Sequence, residues 1–187
     1  MKIYLASKSP RRKELLKQIG VHFELIEGDI DESTMTGEKA RDYVERMALE
    51  KAICGWRNSM GKQKYPVLAA DTSVVLNEGI LGKPKDSVEA ISMLRSLSGN
   101  THQVITSVAI KLDTVQKLVT SITQVTFDTL SDKLIRSYVD SGDCLDKAGA
   151  YGIQNFAARF VSSINGSYSG VVGLPLCETA NLLDEFK

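Results

Sequence analysis

The chain has 187 residues, with 23 lysines and arginines set against 23 aspartates and glutamates, and 43% of its residues are hydrophobic. That composition supports a substantial core and excludes a protein that binds nucleic acid through a general basic excess, so any anion site must be a local gathering of charge. Three widely spaced cysteines and only two histidines leave no disulfide framework, no zinc cluster and no credible Cys–His pair, and no apolar run is long enough to span a bilayer.

Ile3 to Ala6 reads as a short buried strand feeding a helix, with Ser9 placed to cap the helix and Pro10 to open it. Leu15, Leu16 and Ile19 give this helix its apolar face, and Gly20 stops it. Lys8 and Arg11 come too early for a signal peptide, so a cytoplasmic protein is expected. Arg11 and Arg12 fall in the first helical turn, where the macrodipole disfavours cations, and Arg12 extends the inward face. Two readings fit that placement: a solvated basic turn, or a helix start that holds an anion, best a polyphosphate.

Phe23 to Ile26 reads as a second strand, followed by an acidic stretch whose Asp29, Asp31 and Glu32 are either exposed or a source of metal-binding oxygens. From Gly37 to Trp56 the pattern is helical, with Ala40, Tyr43, Val44, Met47 and Ala48 at core spacing. Lys51 falls inside that apolar stripe. It either snorkels to water or is buried against a counter-charge, for which Asp71, Glu32 or a phosphate would serve. Val67 to Leu76 is a nearly continuous apolar strand interrupted by Asp71, Thr72 and Ser73. A carboxylate there is either a structural aspartate bonded to backbone or a group with a metal, a lysine or a proton to carry. In a regular strand Thr72 points away from Asp71, so both serve one site only at the strand's mouth or at a bend.

Asn77 to Gly79 reads as a turn, returning through Ile80 and Leu81 to Gly82-Lys83-Pro84. Asp86 and Glu89 form a capping box opening a helix that ends near Ser98-Gly99. His102 to Leu112 and Lys117 to Phe127 make an antiparallel hairpin, and Ser131 caps a helix running to Ser141. In Asp146 to Gly152 the small residues allow close backbone approach, and Lys147, like Lys83, sits beside them as a candidate phosphate ligand. A strand from Arg159 to Ile164, a tight turn at Asn165-Gly166 and a helix from Pro175 to Phe186 complete the chain. The order of elements gives an α/β fold with a mixed, partly antiparallel sheet flanked by helices. It forms a single domain over residues 1–187, or two lobes around a cleft. No Walker signature and no Ser-His-Asp set occurs; carboxylates among many cations, without a histidine base, fit metal-assisted attack of water on a phosphoanhydride.

Leu5-Ala6-Ser7-Lys8-Ser9-Pro10-Arg11-Arg12, Ala69-Ala70-Asp71-Thr72, Gly82-Lys83-Pro84, Leu97-Ser98-Gly99 with Thr101-His102, Asp146 to Gln154 and Ile164 to Tyr168 follow in order. Together they resemble the Maf family of nucleoside triphosphate pyrophosphatases from Ile3 to about Leu183. The resemblance implies a deep-clefted fold related in shape to the inosine triphosphate pyrophosphatases, a homodimer, and a divalent cation such as Mg²⁺ or Mn²⁺. It implies hydrolysis of a nucleoside triphosphate between its α and β phosphates, with neither a nucleic-acid nor a membrane partner. Asp71 falls on the family's proton-acceptor position. Ser7, Arg12, Lys51 and Lys83 fall on positions that contact the polyphosphate, and Glu32 joins Asp71 at the metal. Arg11, Thr72 and Gln154 occupy the specificity positions and look like the branch acting on dTTP and UTP. The branch preferring 7-methyl-GTP carries different residues there, and a non-enzymatic role in inhibiting septum formation is the other alternative.

Overall fold

The computed structural model describes residues 1–186 and is built on a seven-stranded sheet. Its strands are β1 (Lys2–Leu5), β2 (His22–Leu25), β3 (Val67–Leu76), β4 (Gly79–Leu81), β5 (Thr101–Leu112), β6 (Val115–Phe127) and β7 (Val161–Asn165). The order is β2-β1-β3-β5-β6-β7, with β4 added to β3. β1 runs parallel to β2 and β3, and the remaining pairs are antiparallel, giving the mixed sheet expected from the hairpins. The helices are α1 (Pro10–Gln18), α2 (Ala40–Asn58), α3 (Ser87–Leu97), α4 (Asp132–Asp140), α5 (Tyr168–Val172) and α6 (Leu176–Asp184).

Alternation along β3 sorts these helices onto two faces. Val67 and Ala69 pack with Ala48, Ala52 and Trp56 of α2. Leu68, Ala70 and Val74 pack with Leu15 and Leu16 of α1 and join the side chains of α3, α4 and α6. Both faces are covered, which is why β3 reads as apolar at successive positions rather than at every second one. The α2 face is drawn in closely: a Cβ on Gly55 would stand 2.9 Å from both Ala6 Cβ and Val67 Cγ1. Gly28, in the loop after β2, meets the same Ala6 from another side, its Cβ position 2.8 Å away.

Ser9, Asp86 and Ser131 each accept a backbone N–H at the start of α1, α3 and α4, as their sequence positions predict. Several boundaries differ from expectation. α2 begins at Ala40 rather than Gly37, and the last strand begins at Val161 because Asn155–Phe160 winds into a 3₁₀ segment first. α5 was not anticipated; Ser167 caps this single short turn by accepting from Gly170 N–H. No helix among the described residues is long and apolar enough to cross a membrane.

Gly55→Ala adds helix propensity of up to about 1 kcal/mol but forces a methyl into space already filled by Ala6 and Val67. The overpacking, typically about 1–3 kcal/mol, should win and lower the unfolding free energy in urea; an unchanged or higher midpoint would mean that α2 is not seated this tightly.

Candidate active site

A strand has two hydrogen-bonding edges. β5 occupies one edge of β3 from Val67 to Val75. On the other edge β1 reaches only Val67 and Leu68, and β4 pairs only from Val74 to Leu76. In the stretch between them, Asp71, Thr72 and Ser73 line a cleft of about 660 Å³. The β1–α1 loop, the segment after β2, Lys51, Gly82-Lys83, residues 146–154 and the end of α5 form its other walls. The bare edge removes the parity objection to Asp71 and Thr72. They point to opposite faces of the sheet, and the cleft wraps around the edge to reach both.

On the α2 face, Lys51 Nζ lies 2.7 Å from Asp71 Oδ1 and 2.6 Å from Glu32 Oε1, with its side chain only 13% exposed. Of the two readings of Lys51, the buried cation with counter-charges is the one observed. Partial burial pushes the Glu32 carboxyl up, but the Lys51 ammonium outweighs it, with Lys83 and Arg12 adding to the effect, and holds it below the usual carboxylate range. Lys83 is exposed at the cleft and has no ion pair among the described residues.

On the α1 face, Arg12 makes a different set of contacts. Its Nε donates to Gly173 O at 2.8 Å, Nη1 to Ser7 Oγ at 3.3 Å and Nη2 to Thr72 Oγ1 at 3.1 Å. Thr72 and Thr106 hydroxyls stand 3.0 Å apart, and Thr106 donates to Gly170 O at 2.8 Å. The Thr106 hydroxyl is also the donor towards Thr72, its one proton facing both Thr72 Oγ1 and the α5 backbone carbonyl, and Thr72 Oγ1 accepts from Arg12 as well. Burial pushes the Arg12 guanidinium below its ordinary value, although it stays charged. Among the described residues no carboxylate is within ion-pair distance of it.

The third wall carries the remaining candidates. Arg11 Nη1 meets Asp146 Oδ2 at 3.2 Å, while Lys147 Nζ lies 2.7 Å from Asp146 Oδ1 and 2.9 Å from Asp143 Oδ1. Lys147 is thus engaged with carboxylates, where sequence suggested a phosphate ligand. Its stem crosses Gly152, whose Cβ would stand 2.8 Å from Lys147 Cδ and Cε, so a side chain at Gly152 would displace it. Gln154 is exposed at the cleft and its carboxamide is free of hydrogen bonds among the described residues. Behind this wall the Tyr151 hydroxyl lies 2.7 Å from His102 Nε2, both buried, with Phe127 packed edge-on to each ring. Sequence missed Thr106 and Gly173; neither carries a charge, and a backbone carbonyl leaves no residue signature.

Ser7, Arg11, Arg12, Glu32, Lys51, Asp71, Thr72, Lys83, Lys147 and Gln154 all line this one cleft, as does Asp29, whereas Asp31 lies outside it and accepts the Ser33 N–H. Among the described residues no group of three or more His, Cys, Asp or Glu is gathered as a metal centre. Glu32 and Asp71 do converge on a single cation, Lys51, at hydrogen-bond distance.

The cleft thus sets a partly buried guanidinium at a helix start together with an acid–lysine cluster. The sequence matches the Maf-like protein family, Maf, over residues 2–186, and the chain belongs to that family. It is 54% identical over 187 residues to the dTTP/UTP pyrophosphatase of Chromobacterium violaceum, covering 99% of this chain and 94% of that one. The dTTP/UTP pyrophosphatase of Aromatoleum aromaticum is 48% identical over 196 residues, covering 99% of this chain and 95% of its own. Among solved structures, the Staphylococcus aureus Ham1 protein is a distant likeness at 17% identity and a TM-score of 0.46, covering 68% of this chain and 72% of that one.

His102 has no hydrogen-bond partner at Nδ1 among the described residues, and burial lowers its pKa from 6.5 to about 4. The unfolded chain therefore takes up the proton first, so stability is full above pH 6.5 and falls as pH drops towards 4. This amounts to about 3 kcal/mol. Between pH 7 and pH 4 the urea-unfolding free energy should fall by that much more in the native protein than in His102→Phe; equal losses would show that the ring is not held neutral.

Proposed function

We propose that this protein hydrolyses nucleoside triphosphates between the α and β phosphates, releasing the nucleoside monophosphate and pyrophosphate, with dTTP and UTP as its substrates. The observation that carries this reading is Arg12, a partly buried cation at the start of α1 whose hydrogen-bond partners among the described residues are all neutral dipoles. A triphosphate supplies the anion that this wall lacks. Relatives that share about half of its residues over nearly their whole length bear the name dTTP/UTP pyrophosphatase, which points to the nucleotide.

In this reading Ser7, Arg12 and Lys83 grip the phosphates, joined by Lys51 and by Lys147 as they exchange carboxylate partners for phosphate oxygens. Asp71 presents Oδ2, since Lys51 holds only Oδ1. That oxygen takes the proton from a water attacking the α-phosphorus. As the new P–O bond forms, the bond to the bridging oxygen breaks and its electron pair leaves with pyrophosphate. Arg12, Lys51 and Lys83 offset the charge that gathers there. Glu32 and Asp71 fit a divalent cation: both are hard oxygen donors, and they already meet around one positive charge. When bound, Mg²⁺ or Mn²⁺ there neutralises phosphate oxygens and acidifies water. Gln154 offers one donor and one acceptor to the O4 and N3–H edge of thymine or uracil, with Arg11 and Thr72 beside it, and cytosine presents the reversed pattern. The three free thiols suit a reducing, cytoplasmic setting.

Pyrophosphate release across the common nucleoside triphosphates in Mg²⁺ should favour dTTP and UTP over CTP by about 10²-fold or more in kcat/KM. A flat profile, or release of orthophosphate instead, would overturn the reading. Asp71→Asn should keep the fold and bind dTTP within a few-fold of the native protein while kcat falls by about 10²–10⁴. Near-native turnover in that variant would remove Asp71 from the chemistry.

A further inference from the structure

The acid assigned to the metal, Glu32, lies on a segment with little regular structure of its own. Residues 26–39 join β2 to α2 with only a turn at Thr36-Gly37. Connections longer than about a dozen residues are uncommon in compact folds and are usually functional. The Glu32 side chain is 53% exposed, yet its carboxylate sits 2.6 Å from Lys51. Something other than burial must aim it.

The contacts that do so lie outside the cleft's polar centre and gather on α2. Tyr43 donates its hydroxyl to the Glu32 carbonyl at 2.9 Å. Arg46 Nη2 donates to the next carbonyl, Ser33 O, at 3.0 Å. The same guanidinium grips Glu38 with two parallel bonds, Nε to Oε1 at 2.6 Å and Nη2 to Oε2 at 2.8 Å. Glu38 Oε2 in turn accepts Met35 N–H at 3.0 Å, so one arginine ties the segment at Ser33, Met35 and Glu38. The Glu38 and Arg46 side chains are only 8% and 19% exposed. The hydrogen bonds from Arg46, with that from Met35 N–H, hold the Glu38 carboxyl down to about 2. A buried ion pair gains little net stability, because desolvation offsets most of the attraction; what a forked guanidinium adds is a unique geometry.

We propose that Arg46, acting through Glu38 and together with Tyr43, is a positioning residue that presents Glu32 to the divalent cation. The proposal rests on the role given to Glu32 above. Arg46 touches neither substrate nor metal; it fixes the backbone that follows the acid assigned to the metal. Arg46→Lys keeps the charge but cannot make the fork and the carbonyl bond together. Tyr43→Phe deletes only the bond to Glu32 O and spares the fold if the arginine variant does not.

The test combines two measurements on the full chain. In the protein without metal or nucleotide, amide exchange over residues 29–36 should be about ten-fold faster in both variants, with the β3 and β5 amides unchanged. With dTTP, the Mg²⁺ concentration giving half-maximal rate should rise about ten-fold or more, and saturating Mg²⁺ should restore kcat to within about two-fold. Unchanged exchange with an unchanged Mg²⁺ requirement in both variants overturns the proposal, as does a kcat loss that Mg²⁺ does not repair. Glu32→Gln, run alongside, separates the two levels. Full turnover at ordinary Mg²⁺ in that variant overturns the role of Glu32 itself, whatever the exchange shows.

Discussion

The open edge of β3 is the constraint on which the rest of the molecule turns. A strand in mid-sheet normally has both edges paired, and its successive side chains are then separated by the sheet itself. Here β1 stops after Leu5 and β4 starts only opposite Val74, which leaves Ala69 to Ser73 bare on one side. Groups that belong to opposite faces can therefore look into one cavity. The edge also turns unpaired backbone groups towards that cavity, a polar lining that water or a ligand must satisfy.

The two faces treat their cations in opposite ways, and the contrast carries chemical meaning. Lys51 is neutralised in place by Asp71 and Glu32. Arg12 donates to a carbonyl and two hydroxyls, which take three of its five N–H groups without cancelling its charge. A second cation in the same state, Lys83, waits at the rim. Arg12 and Lys83 thus bring positive charge without an ion-paired carboxylate among the described residues to the cleft that holds Asp71.

Much of this was legible because the chemistry violates local pattern. An aspartate inside an apolar strand, a lysine inside an apolar helix stripe and two arginines at a helix start each conflict with the propensities around them, and the structure brings all three to one place. Caps at Ser9, Asp86 and Ser131 were legible because they depend on spacing of only a few residues. What stayed hidden had no period to reveal it. α5 is a single short turn, and the Asn155–Phe160 winding is 3₁₀, too short for a helical stripe to register. The Arg46–Glu38 fork joins a helix to an irregular loop, so its spacing matches neither helix nor strand. Lys147 looked like a free glycine-loop cation because nothing in the sequence says that Asp143 and Asp146 fold back onto it.

Ala6 sits where Gly28 and Gly55 both press against one methyl, at separations no added carbon would survive. That contact pins the strand leading to Ser7, the start of the acidic segment and the middle of α2 to one another. That end of the groove is held by packed carbon, whereas Arg11, Asp146 and Lys147 on another wall are joined to one another by ion pairs.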